Sequence, residues 1–316
     1  MIVCVTLNPC LDKTLTVPPW QPGDSVRGLA VREVVGGKGN NVARALARLG
    51  REARPATFLG GPVGDHCESL LRRDDRLDPL ITPVAADTRV ILTVRTEDQA
   101  DQTAFFDPDP AITPAEAEDL LHRVEGTLTA GGVDAITLSG SSPSPSTHGL
   151  YSDVIALARA RRVPILLDTY GPALESIWGF WPDMIQLNRR EAAAHLRVAR
   201  PDDAAVFDLL GRWSRHGVRL GIVTDGPGPV LAVSRGTSYR VEPPRIEAVN
   251  PIGSGDCLLA GLADAWLSGL DPAAMLRHGV ACAVANALVW DAGDITPAEV
   301  ARIEAEIAVE TVACGS

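Results

Sequence analysis

The sequence predicts an α/β protein: a mainly parallel central sheet covered by helices on both faces, with a small β-sheet lid. Three observations predict it. Short apolar, β-branched runs alternate with helix-period segments along most of the 316 residues, the rhythm of a parallel, doubly covered sheet. Two glycine turns, "VVGGKGNN" and "NPIGSGDC", run straight into helix-like stretches. Two segments, 12–35 and 87–107, break the rhythm with short alternating strands and no helix between them.

In chain order, Ile2–Leu7 reads as a first strand, because "MIVCVTLNPCLDKTL" has neither the basic start nor the apolar stretch and cleavage site of a signal peptide. Residues 12–35 follow with "TLTV" and "LAVREVV". A helix over Asn41–Leu49 places Val42, Leu46 and Leu49 on one stripe and closes at Gly50. "RRDDR" at 72–76 reads as a solvated helix end. Residues 87–107 supply "RVILTVRT" and "QTAFF". Beyond them come strands at Ala135–Ser139, Val163–Asp168, Met184–Leu187 and Gly221–Thr224, and helices at Thr147–Arg161, Ala204–His216, Asp256–Leu267 and Pro272–Trp290. The body then comprises 1–11, 36–86 and 108–316, and the lid 12–35 and 87–107. Ligands of such sheets bind at the carboxyl ends of the strands.

Composition narrows the function. Apolar runs are broken well before the ~18 residues of a membrane span, and a cytoplasmic location is expected. Six scattered cysteines without metal-ligand spacing read as reduced, buried thiols, with no disulfide and no zinc. A net charge of −11 argues against nucleic acid or an anionic membrane as partner. An anionic small substrate must therefore be held by a few local cations.

A glycine turn opening a helix exposes unpaired N–H groups at the positive end of the helix dipole, which is an anion site. Asp256 in "GSGD" would repel that anion unless it acts on it, and general-base chemistry during phosphoryl transfer is such an action. Taken alone, the segment also suits an ordinary N-capping aspartate. The second turn, with Lys38 inside Gly-Gly-Lys-Gly, places two glycine-rich helix entrances in one chain. It is no Walker A loop, since Gly39 follows Lys38, and no dinucleotide fingerprint or protein-kinase signature set is present.

These residues carry a resemblance. "GGKGNNVARALARLG" and "NPIGSGDCLLAG" resemble the two signatures of the ribokinase-like, phosphofructokinase-B-type carbohydrate kinases. "TLNPCLD", "DTR", "LSGSSP", "LLDTYGPAL", "IQLNRREA" and "IVTDGPG" fall between or before them in the family's order. "TLNP-x-LD", the spacing of Arg27 before Gly-Gly-Lys-Gly, "TR" and "NP-x-GSGD" are similar to the branch that phosphorylates sugar phosphates, particularly tagatose-6-phosphate kinase and 1-phosphofructokinase.

The resemblance implies a ribokinase-like fold and a kinase using ATP and Mg²⁺. Asp256 would be the base, with the N–H groups of Gly253, Ser254 and Gly255 as the anion hole. Asp12, Gly36, Gly37, Lys38 and Asn41 would grip the sugar, Arg27 and Arg89 would clamp its phosphate, and Ser139 would add a hydroxyl contact. Asn188 and Glu191 would order Mg²⁺ through waters, without a direct metal ligand. Thr224, Gly226 and Asn286 would border the nucleotide, and a homodimer would form through the lid. The chain departs from the family's Lys-Pro-Asn-x-x-Glu, reading Gln186-Leu187-Asn188-Arg189-Arg190-Glu191, and has Pro229 where a glycine is usual. Two other readings stay open: a kinase of an unphosphorylated sugar or nucleoside, and a catalytically silent sugar-phosphate sensor.

Overall fold

A computed structural model describes residues 1–96, 102–177, 179 and 181–312. Its main sheet has ten strands: β1 (Ile2–Thr6), β4 (Ala53–Leu59), β5 (Leu80–Pro83), β8 (Ala135–Ser139), β9 (Ile165–Asp168), β10 (Met184–Asn188), β11 (Leu220–Thr224), β12 (Val230–Ser234), β13 (Thr237–Val241) and β14 (Val309–Val312). Their order is β14-β13-β12-β11-β10-β9-β8-β1-β4-β5. From β11 to β5 every pairing is parallel, and β12, β13 and β14 extend the sheet antiparallel. A separate sheet contains β2 (Cys10–Val17), β3 (Ala30–Gly36), β6 (Arg89–Thr96) and β7 (Gln102–Phe106), in the order β3-β2-β6-β7.

Side-chain alternation along β1 explains the layers. Ile2 and Cys4 point into a core shared with α1 (Lys38–Arg48), α2 (Gly61–Arg73), α8 (Ser254–Leu267), α9 (Pro272–Ala287) and α10 (Pro297–Glu304). Val3 and Val5 point the opposite way, toward α3 (Pro114–Ala130), α4 (Leu150–Ala160), α5 (Pro172–Glu175), α6 (Arg189–Leu196) and α7 (Asp203–Arg215). The helices thus cover both faces. No helix among the described residues is long and apolar enough to cross a membrane.

Several elements differ from the sequence reading. Helices α1 and α8 begin at Lys38 and Ser254, three and two residues before the apolar periodicity, because Gly37 and Gly253 form their N-caps at φ +101° and +84°. Those caps belong to glycine: a methyl on Gly253 would overlap Ala292, and one on Gly37 would press on Thr6. The stretch 147–161 splits at Gly149 into a short 3₁₀ turn and α4. The last long helix ends at Ala287, and Trp290 lies beyond it. In "RRDDR", Arg72, Arg73 and Asp74 are solvated, but Asp75 is not: it closes over buried Arg44, accepting from Nε and Nη2 at 2.7 Å each. The five described cysteines are free and buried.

Candidate active site

One cleft of about 1060 Å³ lies between the carboxyl ends of the parallel strands, the start of α8 and the inner face of the lid. Residues 168, 188 and 224 end β9, β10 and β11 there, as the topology of open parallel sheets requires. From the lid, Asp12, Thr14, Arg32, Val34, Ile91 and Thr93 face in.

Asp256 sits in the first turn of α8, 4% exposed, and accepts a 2.8 Å hydrogen bond from Asn41 Nδ2. Burial pushes its carboxyl up to about 7, against the pull of Lys38 and Asn41 and with added repulsion from Asp168 and Glu191. Lys38 Nζ donates to Asp168 Oδ1 at 2.9 Å and to Glu191 Oε1 at 3.4 Å, beside the Tyr170 ring. Although burial opposes its charge, Asp168, Glu191 and Asp256 hold Lys38 more firmly protonated than an ordinary lysine. One ammonium thus serves three carboxylates. Gln186 ties this group to the glycine turn, since its Nε2 donates to the Gly255 carbonyl at 2.8 Å and lies 3.3 Å from Asp168 Oδ2.

Behind Asn41, the Arg44 guanidinium is wholly enclosed. It donates to Asn41 Oδ1 at 3.1 Å and to the carbonyls of Ala292 and Val35 at 2.8 Å each, besides its fork on Asp75. The bond to Oδ1 fixes which end of the Asn41 amide faces Asp256. The helix start is braced from the other side. Asn250 Nδ2 donates to Trp290 O at 2.8 Å, a bond a carboxylate at this position cannot make, and its Oδ1 accepts from Ile252 N.

Asp12, Gly37, Lys38, Asn41, Arg89, Asn188, Glu191, Thr224, Gly226, Gly253, Ser254, Gly255 and Asp256 all line this cleft. Four expected contacts do not. Arg27 lies in the exposed stretch between β2 and β3 and is not among the cleft residues. Gly36 is buried beneath Asp12 and Cys10, where its lack of a side chain makes room for both. Ser139 is the last residue of β8 and points into the interior, whereas Ser141, two residues on, reaches the cleft. Asn286 is buried behind the glycine turn. It donates to Ile252 O and Ser254 Oγ and accepts from Gly293 N, so it positions the turn. The Ser254 N–H also departs from the expected anion hole, because it donates to Pro251 O at 3.2 Å.

Asn188 and Glu191 form a reciprocal capping box on α6: Glu191 Oε2 accepts from Asn188 N, and Asn188 Oδ1 accepts from Glu191 N, each at 2.8 Å. Residues the sequence reading did not select include Asn8, Asp168, Ser141 and Gln186. Asp168 and Gln186 had a signal of a kind, being polar residues at or near the carboxyl ends of buried strands. Ile246, Val280, Val284 and Ala287 add apolar wall to the cleft, which Thr224 and Gly226 also line.

A model of the pfkB family carbohydrate kinases matches residues 5–299. Phosphofructokinase-2 from Escherichia coli in complex with fructose-6-phosphate superposes with a TM-score of 0.85 at 25% identity, over 97% of this chain and 98% of that one. The tetrameric inhibited form of that enzyme gives a TM-score of 0.86 at 25% identity, over 96% and 98%. A possible 1-phosphofructokinase from Thermotoga maritima shares the fold, with a TM-score of 0.89 at 24% identity over 99% and 100%.

Proposed function

The chain belongs to the pfkB family of carbohydrate kinases, and on that premise we propose that it moves the γ-phosphoryl group of ATP to a hydroxyl of a ketose phosphate, with Asp256 as general base. Membership makes it a phosphotransferase with an alcohol acceptor; the acceptor and the residue roles are our reading. The observation that carries it is the placement of Asp256. A buried carboxyl titrating at about 7, at the positive start of a helix, is half ionised near neutral pH and matched to accepting a hydroxyl proton.

Lys38 then supplies the positive charge that the transferring phosphoryl needs, and the first N–H groups of α8 left without helical acceptors supply the rest. Asp12, Asn41 and Lys38 face the sugar hydroxyls. Arg89 holds the non-reacting phosphate through the Nη1 side of its guanidinium, with Ser141 in the place first given to Ser139. ATP lies along Thr224 and Gly226 with its base against Val280, Val284 and Ala287. Mg²⁺ fits this donor set through waters: Glu191 and Asp168 offer hard oxygen atoms, but the Asn188–Glu191 box and Lys38 already engage them, and no cluster among the described residues has direct-ligand geometry. Bound there, it would neutralise the β- and γ-phosphates. The lid covers the sugar and excludes water. Exposed Val31 and Phe105 on the lid support the homodimer reading.

The test compares fructose-6-phosphate, tagatose-6-phosphate and fructose-1-phosphate with the free sugars, in wild type and Arg89→Ala. We expect turnover on one phosphorylated ketose, with KM raised ~10- to 100-fold in the variant, the range for losing a charged hydrogen bond. Turnover confined to free sugars and indifferent to Arg89 refutes the acceptor; no ATP turnover with any sugar refutes the catalytic reading.

A further inference from the structure

Arg89 stands at the start of β6 with every edge of its guanidinium engaged. Nε and Nη2 donate to the carbonyls of Pro9 and Asn8 at 3.4 and 3.3 Å, fastening it to the segment after β1. Nη1 donates to Asp109 Oδ1 at 2.9 Å. The same carboxylate oxygen accepts from Asn8 Nδ2 at 2.9 Å, and that amide also reaches Ser141 Oγ at 3.2 Å. An arginine edge and an amide N–H thus converge on one anionic oxygen, with a serine hydroxyl beside them. That is the donor set of an oxyanion site, and a side chain of this protein occupies it.

We infer that Asp109 is an exchangeable stand-in for the acceptor's non-reacting phosphate, which displaces the Asp109 carboxylate from Arg89 and Asn8, beside the Ser141 hydroxyl, when substrate enters. This rests on the reading of the acceptor as a ketose phosphate. Asp109 thereby acts on specificity: a dianionic phosphate competes for the donors, and a neutral hydroxymethyl group does not.

The two partners are held differently, which gives the exchange its direction. Arg89 is 15% exposed and anchored by two backbone carbonyls that remain when Asp109 leaves; Asp109 is 48% exposed and returns to water by rotating its own short side chain. Its backbone stays in place. Asp107 is pinned to Val90 by a backbone bond at 3.0 Å and a side-chain bond at 2.8 Å, and Asp109 lies between Pro108 and Pro110, whose rings fix φ. A carboxylate tethered this closely competes at high effective concentration. In the absence of phosphate it keeps Arg89 neutralised, so that free anions do not occupy the cleft by charge alone.

The test is calorimetric binding of inorganic phosphate and of fructose-6-phosphate, without ATP, to wild type, Asp109→Asn, Asp109→Ala and Arg89→Ala, joined to steady-state kinetics on fructose-6-phosphate. Removing the tethered competitor tightens phosphate binding about 2- to 5-fold, the worth of a partly exposed ion pair. It lowers KM by the same factor with kcat within about 2-fold of wild type, and adding Arg89→Ala to Asp109→Asn cancels the gain. Equal or weaker phosphate binding by both Asp109 variants overturns the inference and makes Asp109 a support for Arg89. If wild type and Arg89→Ala bind phosphate alike, the acceptor reading itself has failed.

Discussion

Replacing Asn41 by alanine removes the one side-chain donor that the Asp256 carboxylate has among the described residues, a 2.8 Å bond held in register by Arg44. The bond favours the ionised form, so its loss raises the carboxyl above its value of about 7. A hydrogen bond to a charged group is worth ~1.5–3 kcal/mol, and ~1.4 kcal/mol corresponds to one pH unit; water entering the space left by the amide returns part of that. The acid limb of kcat/KM therefore moves up by about one pH unit. At pH 7 the ionised fraction falls from about one half to about one tenth, a ~5-fold pH-dependent part of the loss that disappears by about pH 9 and leaves only the pH-independent cost of the lost sugar contact. The assay is coupled ADP release between about pH 6 and 9.5, at subsaturating sugar. An acid limb that stays in place or moves down, with a loss equal at every pH, refutes the argument and leaves Asn41 as a substrate contact only.

Other substitutions test the same cluster. Lys38→Met moves the acid limb upward and lowers kcat, because Lys38 both favours the ionised Asp256 and faces the transferring group; Asp168→Asn moves the limb downward, because Asp168 repels that charge. Limbs moving in the same direction contradict the cluster's electrostatics. Arg44→Ala leaves Asp75 facing a buried void and frees both Asn41 and Ala292; thermal or urea unfolding should show a loss of ~3–5 kcal/mol, the cost of breaking a buried pair. A loss below about 1 kcal/mol would place Arg44 outside the framework of the site.

Local features of the chain were readable before folding. The glycine turns had to cap helices because their residues adopt positive φ, and Asp256 and Lys38 follow from their place beside those caps. The short apolar, β-branched runs of β1 and β8 were readable for the same reason, being a property of neighbouring residues. Pairings across the fold were not. Lys38 meets Asp168 130 positions away, and Arg44 meets Ala292 248 positions away; neither leaves a local pattern. The strand Ala135–Ser139 was bounded correctly, but periodicity does not tell which serine at its end turns toward the cleft: Ser139, still within β8, is buried, and Ser141, two residues on, lines the cleft. Arg27 illustrates the converse: its spacing before the first glycine turn is a sequence property, whereas its side chain lies in an exposed stretch that the lid strands leave outside the cleft.

The most direct test of the central claim is turnover of Asp256→Asn on the phosphorylated ketose that wild type prefers, with sugar and nucleotide binding measured alongside. The account predicts unchanged binding within a few-fold and kcat reduced by ~10²-fold or more, the size of a lost general base. A variant that binds both substrates and keeps most of its kcat would contradict it.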